Sequence, residues 1–415
     1  MTLDRASARS DVRDVNFADP AFLARPWPEL LRLQREAPVY WSENQKGWII
    51  TRHADVKAAF ADPRLSAARV EQLFRSMPED VRAQLQTVRK YLTLNVNRMD
   101  GPEHMRIRTL MLKAFDRGVV RQLEGFIDGL IDRILDTCAS KGEFDFHAEV
   151  CNVLPTMIMQ RLLGLPDEFQ TQLFKLASDF TAASASAAIT PELMLQLDRS
   201  IRSMNEIFEV LIKDRERNPG DDLISTLVHA RDGLHRLSHD ELLACFHAII
   251  VAGAETTAHS LSVHLVEIAR RPDIVARLRV DPDCAFALAT ELLRYPGTVK
   301  CMTRLAAEDF EWHGQHIRKG DLLWMMHAGA NVDPEVFPDA FETDIDRNNR
   351  ESFAFGPGLH HCVGHILART EISMFMKRAF ARFDVAILEE TLEMAPSYIF
   401  FGYKRLRVRF TPRAA

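Results

Sequence analysis

Cysteine is sparse and unpatterned. Cys138, Cys151, Cys245, Cys284, Cys301 and Cys362 share no short repeating spacing, which argues against a zinc ribbon or disulfide framework and leaves reduced thiols as the simplest state. Basic residues are not in excess: 52 Lys and Arg against 58 Asp and Glu give a formal charge of -6, so the chain does not read as a nucleic-acid binder. No uninterrupted apolar run reaches about 18 residues, the length a membrane anchor needs. Met1 to Asp14 has no apolar core of a signal peptide. The G-x-G-x-x-G and phosphate-loop patterns are missing, strands do not alternate with helices in a long βαβ series, and no internal repeat appears. A doubly wound nucleotide-binding fold is therefore not expected.

What is present is core material: 415 residues, 47% hydrophobic and 27% charged, with no disorder signature. At roughly 150 residues per domain the length allows about three domains or one large one. The expectation is a soluble cytoplasmic protein with residues 1–20 as a flexible N-terminus. Helical periodicity dominates residues 102–295. Leu123, Phe126, Ile127, Leu130, Ile131 and Leu135 recur at spacings of three and four, and 150–163 and 191–212 behave similarly. The small, polar stretch 179–190 reads as a flexible helix connection or mobile lid. Short β signals sit near the two ends, at 39–42, 48–51, 302–306, 310–312 and 405–410, the first two forming a hairpin.

The longest helical candidate, 238–270, has Ser238 as N-cap and Glu241 three residues on, a capping box. It must cross the core, yet its middle carries Gly253, Glu255, Thr256 and Thr257. Burying an acid and two hydroxyls costs several kcal/mol unless they are partnered, and such a conflict between local and global preference marks a functional site.

The strongest motif is Phe355, Gly356, Pro357, Gly358, Leu359, His360, His361, Cys362, Val363, Gly364, followed by a helix over 366–380. A glycine-rich loop delivers Cys362 to a helix N-terminus, where free N–H groups and the macrodipole favour thiolate, the metal-ligand form. Simpler readings are a buried structural cysteine, or a zinc site of His360, His361, Cys362 and His365. The ten residues resemble the haem-binding signature F-x-x-G-x-x-x-C-x-G of the cytochrome P-450 superfamily through Phe355, Gly358, Cys362 and Gly364. Two further signatures follow the same order: the E-x-x-R pair Glu291 and Arg294, and the oxygen-activation segment 252–257 of the central helix.

The resemblance implies a mainly α fold with a small β region, spanning 1–415 as one domain, with the long helix over a buried haem b. It implies Cys362 as iron ligand, whose thiolate promotes O–O cleavage. Glu255 relays protons, Thr256 positions a water, and Gly253 makes room for oxygen. Thr257 is expected to bond back to its own helix. His104, Arg108, Arg304 and His360 are nominated as charge-assisted donors to the haem propionates, with His361 a weaker candidate. His259, His264 and His327 read as ordinary helix or loop residues. Glu291 and Arg294 form a structural pair that family members close with an arginine or histidine in the stretch where this chain has Ala340, Phe341, Glu342 and Thr343. Pro296, Gly297 and Thr298 depart from the family pattern, leaving Lys300 as a pocket charge or a solvated residue.

Pocket positions implied by the resemblance are Val96, Phe180, Thr181, Ala248, Val251, Val299, Ile399 and Phe400, suited to a mainly apolar small-molecule substrate. The implied activity is monooxygenation with electrons from a separate ferredoxin and ferredoxin reductase. Arg106, Lys113 and Arg117 offer a docking face for an acidic partner or simply a solvated helix face. A peroxide-driven peroxygenase and a non-catalytic haem sensor stand as alternatives.

Overall fold

The computed structural model describes residues 13–75, 77–115, 117–184 and 190–413. Its helices include Gly101–Ala114 (α1), Arg117–Lys141 (α2), Leu154–Leu163 (α3), Asp167–Ser184 (α4), Pro191–Arg217 (α5), His239–Ala269 (α6), Ala285–Leu292 (α7) and His365–Arg382 (α8). Its strands are Val39–Ser42 (β1), Gly47–Ile50 (β2), Leu65–Ser66 (β3), Glu143–Asp145 (β4), Met302–Ala306 (β5), Phe310–Trp312 (β6), Gln315–Ile317 (β7), Leu322–Met325 (β8), Phe383–Ile387 (β9) and Arg407–Pro412 (β10).

α6 carries 31 residues, about 46 Å at 1.5 Å per residue. The capping box is formed: Ser238 Oγ accepts from the Glu241 N–H at 3.4 Å, and Glu241 Oε2 accepts from the Ser238 N–H at 2.7 Å. Among the described residues α6 is the one helix apolar enough to cross a membrane, but 67% of its most apolar window is packed inside the protein. Leu242 to Ile250 and Thr257 to Val266 are buried, whereas residues 251–256 between them are half-buried and Ala252 is exposed. Accessible positions midway along a core helix mark the wall of an internal cleft.

The expected hairpin β1–β2 joins distant strands in a five-stranded sheet of order β1-β2-β8-β5-β3, with β2 and β8 parallel. A second sheet, β4-β10-β9, closes the other end. Three expectations need correction. Of the N-terminus expected to be flexible, residues 1–12 lie outside the described residues, whereas 13–20 are anchored: Val15 and Phe17 are buried, and Phe17 stacks on Phe22 with centroids 5.1 Å apart. The 150–163 segment is broken after a π turn at His147–Cys151, because Pro155 starts a new helix in its first turn. The supposed loop from Asp179 is helical to Ser184, as its alanines favour; the rest of that lid expectation falls at 185–189, outside the described residues. Thr190 caps the next helix, its Oγ1 accepting from the Leu193 N–H at 3.3 Å.

Candidate functional site

The loop before α8 is a closed turn. Gly356 and Gly358 have φ of 69° and 65°, a region that side chains disfavour. The Cys362 N–H donates to Phe355 O at 2.9 Å and the His361 N–H to Gly358 O at 3.1 Å. The Arg369 guanidinium lies 5.1 Å from the Phe355 ring centroid. Of the six cysteines, Cys362 alone is exposed. Its thiol is nevertheless desolvated by the protein around it. Burial pushes its pKa up, against the opposing pull of the Gly364 N–H, Arg108 and Arg369. The helix-terminal N–H and the two guanidiniums oppose the burial, and a bound cation would favour the thiolate further. The zinc reading also falls: among the described residues no cluster of three His, Cys, Asp or Glu side chains is placed to hold a metal. His361 packs edge-on against His365, and His360 stacks on His104.

The E-x-x-R pair is fully buried. Arg294 Nη2 donates to Glu291 Oε1 at 2.6 Å and Nε to Oε2 at 2.9 Å. The third member is Arg347, whose Nε donates to Glu291 Oε1 at 3.1 Å. It stands beyond the stretch where the resemblance directed attention. Glu342 instead approaches Arg271 at 3.8 Å, on the surface.

Across the cleft, Thr256 Oγ1 donates to Ala252 O at 2.9 Å, which leaves the hydroxyl's lone pairs to accept a hydrogen bond from the cleft. Glu255 Oε1 lies 3.8 Å from Nε2 of His259, one turn on, a neighbour sequence reading had set aside despite its i, i+4 spacing. Gly253 also has a packing role. A Cβ there would meet Met159 Sδ at 2.5 Å, so the glycine serves the packing of α3 on α6. Thr257 is buried, at 3.5 Å from Gly253 O, and donates to Glu371 Oε1 at 3.2 Å. Glu371, on α8, was not foreseen; burial raises its carboxyl to about 8.

The nominated anion donors gather beside this cleft. His104 Nε2 is buried without a partner, and its ring stacks on His360 at 4.2 Å. Burial and the charges of His360 and Arg108 push His104 down to about 4 in the absence of an anion beside it. Arg108 donates to His361 O. Arg304 is buried and bonds Thr303 O at 3.0 Å. Neither arginine has a carboxylate partner among the described residues. An orphaned ring nitrogen, two unpaired guanidiniums and an accessible thiol fit a thiolate-ligated iron porphyrin carrying two carboxylates.

Residues 298–300 run beside 399–401: Lys300 N–H donates to Ile399 O and Phe401 N–H to Thr298 O, both at 2.7 Å. This joins Val299, Ile399 and Phe400, and the Phe400 ring also stacks on His259 at 5.7 Å. Val96, Phe180 and Ala248 are buried and Val251 half-buried, while the Thr181 side chain lies outside the described residues. Lys300 is not solvated: it is buried and donates to Ser397 O at 2.6 Å. The basic docking face is largely spent internally, since Arg106 pairs with Glu103 at 2.7 Å and with Glu241, and Lys113 pairs with Asp232 at 2.9 Å. The Arg117 side chain is outside the described residues.

Comparison with known proteins agrees with this geometry. The sequence model of the Cytochrome P450 family matches residues 68–400. Cytochrome P450 107B1 of Saccharopolyspora erythraea is 31% identical over 408 residues, 96% of this chain and 98% of that protein. The epothilone C/D epoxidase of Sorangium cellulosum is 28% identical over 403 residues, 95% of each chain. The solved structure of the polyketide synthase cytochrome P450 PksS of Bacillus subtilis 168 superposes with a TM-score of 0.86 at 26% identity, covering 96% of this chain and 100% of that one. A match over most of its length, to a family whose haem-thiolate chemistry this cleft accommodates, makes the chain a member of the cytochrome P450 family, a haem-dependent monooxygenase with iron protoporphyrin IX as cofactor.

Proposed function

We propose that Cys362 supplies the iron ligand and that the accessible strip 251–256 of α6 forms the opposite, reacting wall. The observation that carries this reading is the pairing of an exposed thiol at the cleft floor with accessible positions in an otherwise buried helix. When bound, thiolate-ligated haem iron activates dioxygen, one atom entering the substrate and the other leaving as water. The Gly364 N–H, Arg108 and Arg369 hold the thiolate charge. His104, Arg108, Arg304 and His360 would hold the two propionates, and Phe355, Gly358 and Gly364 shape the loop that carries Cys362. Thr256 accepts a hydrogen bond from a water in the cleft while its own O–H donates to Ala252 O. Glu255 delivers protons to that water, with His259 as its neighbour toward the protein interior.

The substrate is a mainly apolar small molecule; two relatives are named for work on epothilones and in polyketide biosynthesis. Electrons come from a separate ferredoxin and its reductase in the cytoplasm. With Arg106 and Lys113 already paired, docking relies on apolar contact: Met105, Leu112 and Leu359 are 54%, 44% and 62% exposed around the Cys362 loop. The haem-loaded protein should couple NADH oxidation to product only when ferredoxin and reductase are added. Product from hydrogen peroxide alone, with none from the reductase system, would overturn the monooxygenase roles given to Glu255 and Thr256.

A further inference from the structure

The cleft holds more positive charge than two propionates require. Beyond His104, Arg108, Arg304 and His360 stand Arg69, just after β3, and Arg98, at the end of the turn Val96–Arg98. Arg69 makes one hydrogen bond, Nη1 to Ala67 O at 3.0 Å. Neither arginine has an ion-pair partner among the described residues. The nearest acid, Asp100, is already occupied by Ser66 Oγ at 2.5 Å, by the Ala67 N–H at 2.9 Å and the Ala68 N–H at 3.3 Å, with His360 at 3.9 Å.

Both arginines are half-buried, and the bonds from Ser66, Ala67 and Ala68 to Asp100 tie the segment that carries Arg69 to the one that carries Arg98. Desolvation depresses both, Arg69 also through Arg98 and Arg304. Tyr398 sets its ring edge against Trp324 of β8 at 5.5 Å, and β8 pairs with β5, itself paired with β3 just ahead of Arg69. Tyr398 belongs to the segment that joins Val299 and Ile399. A guanidinium does not discharge under such conditions; it seeks an anion, and its fork suits a carboxylate.

We propose that Arg69 and Arg98, with the Tyr398 hydroxyl, form an anion subsite of the substrate cleft, and that the substrate is an apolar molecule ending in a carboxylate. Val96, Ala248, Val251, Val299 and Ile399 provide the apolar wall for its body. This rests on the reading that the cleft holds haem, with the propionates satisfied by the other four donors.

Matched acid and alcohol pairs test it: dodecanoic acid with 1-dodecanol, and a bicyclic terpenoid acid with its alcohol, each titrated into the haem-loaded full chain by the Soret shift. At least one acid should bind about tenfold tighter than its alcohol, as a charge-assisted pair provides. Arg69→Gln and Arg98→Gln should erase that preference while leaving haem content and the alcohol's Kd unchanged, and Arg98→Lys should keep part of it. Equal binding within every pair, no binding of any acid, or a loss of haem with the acid preference intact would overturn the subsite; the last result would assign the arginines to the propionates. Failure of the underlying haem-thiolate reading shows separately, as absence of the red-shifted carbon monoxide band, and removes both.

Discussion

Two groups of buried and half-buried arginines differ in how completely they are bonded. Around Glu291 the network is closed: Arg294 Nη1 also reaches Asn331 O at 2.9 Å and Ala340 O at 2.8 Å, and Arg347 Nη1 reaches Pro338 O at 2.7 Å. Around the cleft it is open: among the described residues Arg69, Arg98, Arg108 and Arg304 lack carboxylate partners and His104 Nε2 lacks any partner. A closed network has nothing left to offer a ligand and can only hold the fold; an open one is organised for charges the protein does not contain. The adjacent threonines repeat the contrast. Thr257 is tied to Glu371 on α8, whereas Thr256 turns free lone pairs to the cleft.

The largest effect should come from breaking the closed network. Glu291→Gln strands two guanidiniums in the core, where loss of one partner of a buried pair costs about 3–5 kcal/mol. Thermal unfolding should show a large drop in Tm with loss of haem-loaded protein, whereas Arg98→Gln should melt close to the native chain. Equal losses in both would erase the distinction.

The threonine pair comes next. Thr256→Ala should keep haem and substrate affinity but divert reductant to hydrogen peroxide, lowering product per NADH several-fold. Glu255→Gln should slow the whole cycle, because its titratable group is gone. Thr257→Val, by contrast, leaves the Glu371 carboxyl unsatisfied and should lower stability by about 1–3 kcal/mol with coupling preserved. An unchanged product-to-NADH ratio in Thr256→Ala would move the alcohol function to Thr257 or to an ordered water.

The smallest effect is a pH slope. Glu371 titrates near 8 in the folded protein against 4.5 ordinarily, so the folded state binds its proton more tightly. That contribution is complete below about 4.5 and is lost as pH rises toward 8. Relative to Glu371→Gln, the native chain should lose Tm across this window, and parallel curves would show that Glu371 is not buried as protonated acid.

The closed and open groups were not equally legible in sequence. Motifs carried by local spacing came through: the Cys362 loop, the Glu291–Arg294 pair, and the capped helix His239–Ala269. Arg347 did not, because its bond to Glu291 spans 56 residues with no periodic relation between them. Glu371 and Thr257 are 114 residues apart, and the packing of Met159 on Gly253 likewise joins separate helices. At Gly253 the motif position suggested one role and gave no sign of the packing against Met159. Cleft charge was undercounted for the same reason, since Arg69 and Arg98 sit in short connections without a pattern and meet only in the fold.

The most direct test of the haem-thiolate centre is the carbon monoxide difference spectrum of the reduced, haem-loaded protein beside Cys362→Ser. The native chain should show the strongly red-shifted Soret band of a thiolate-ligated haem, and the variant should lose it while melting like the native apoprotein. A native chain that binds haem without that band, or a variant that keeps it, would contradict the assignment of Cys362.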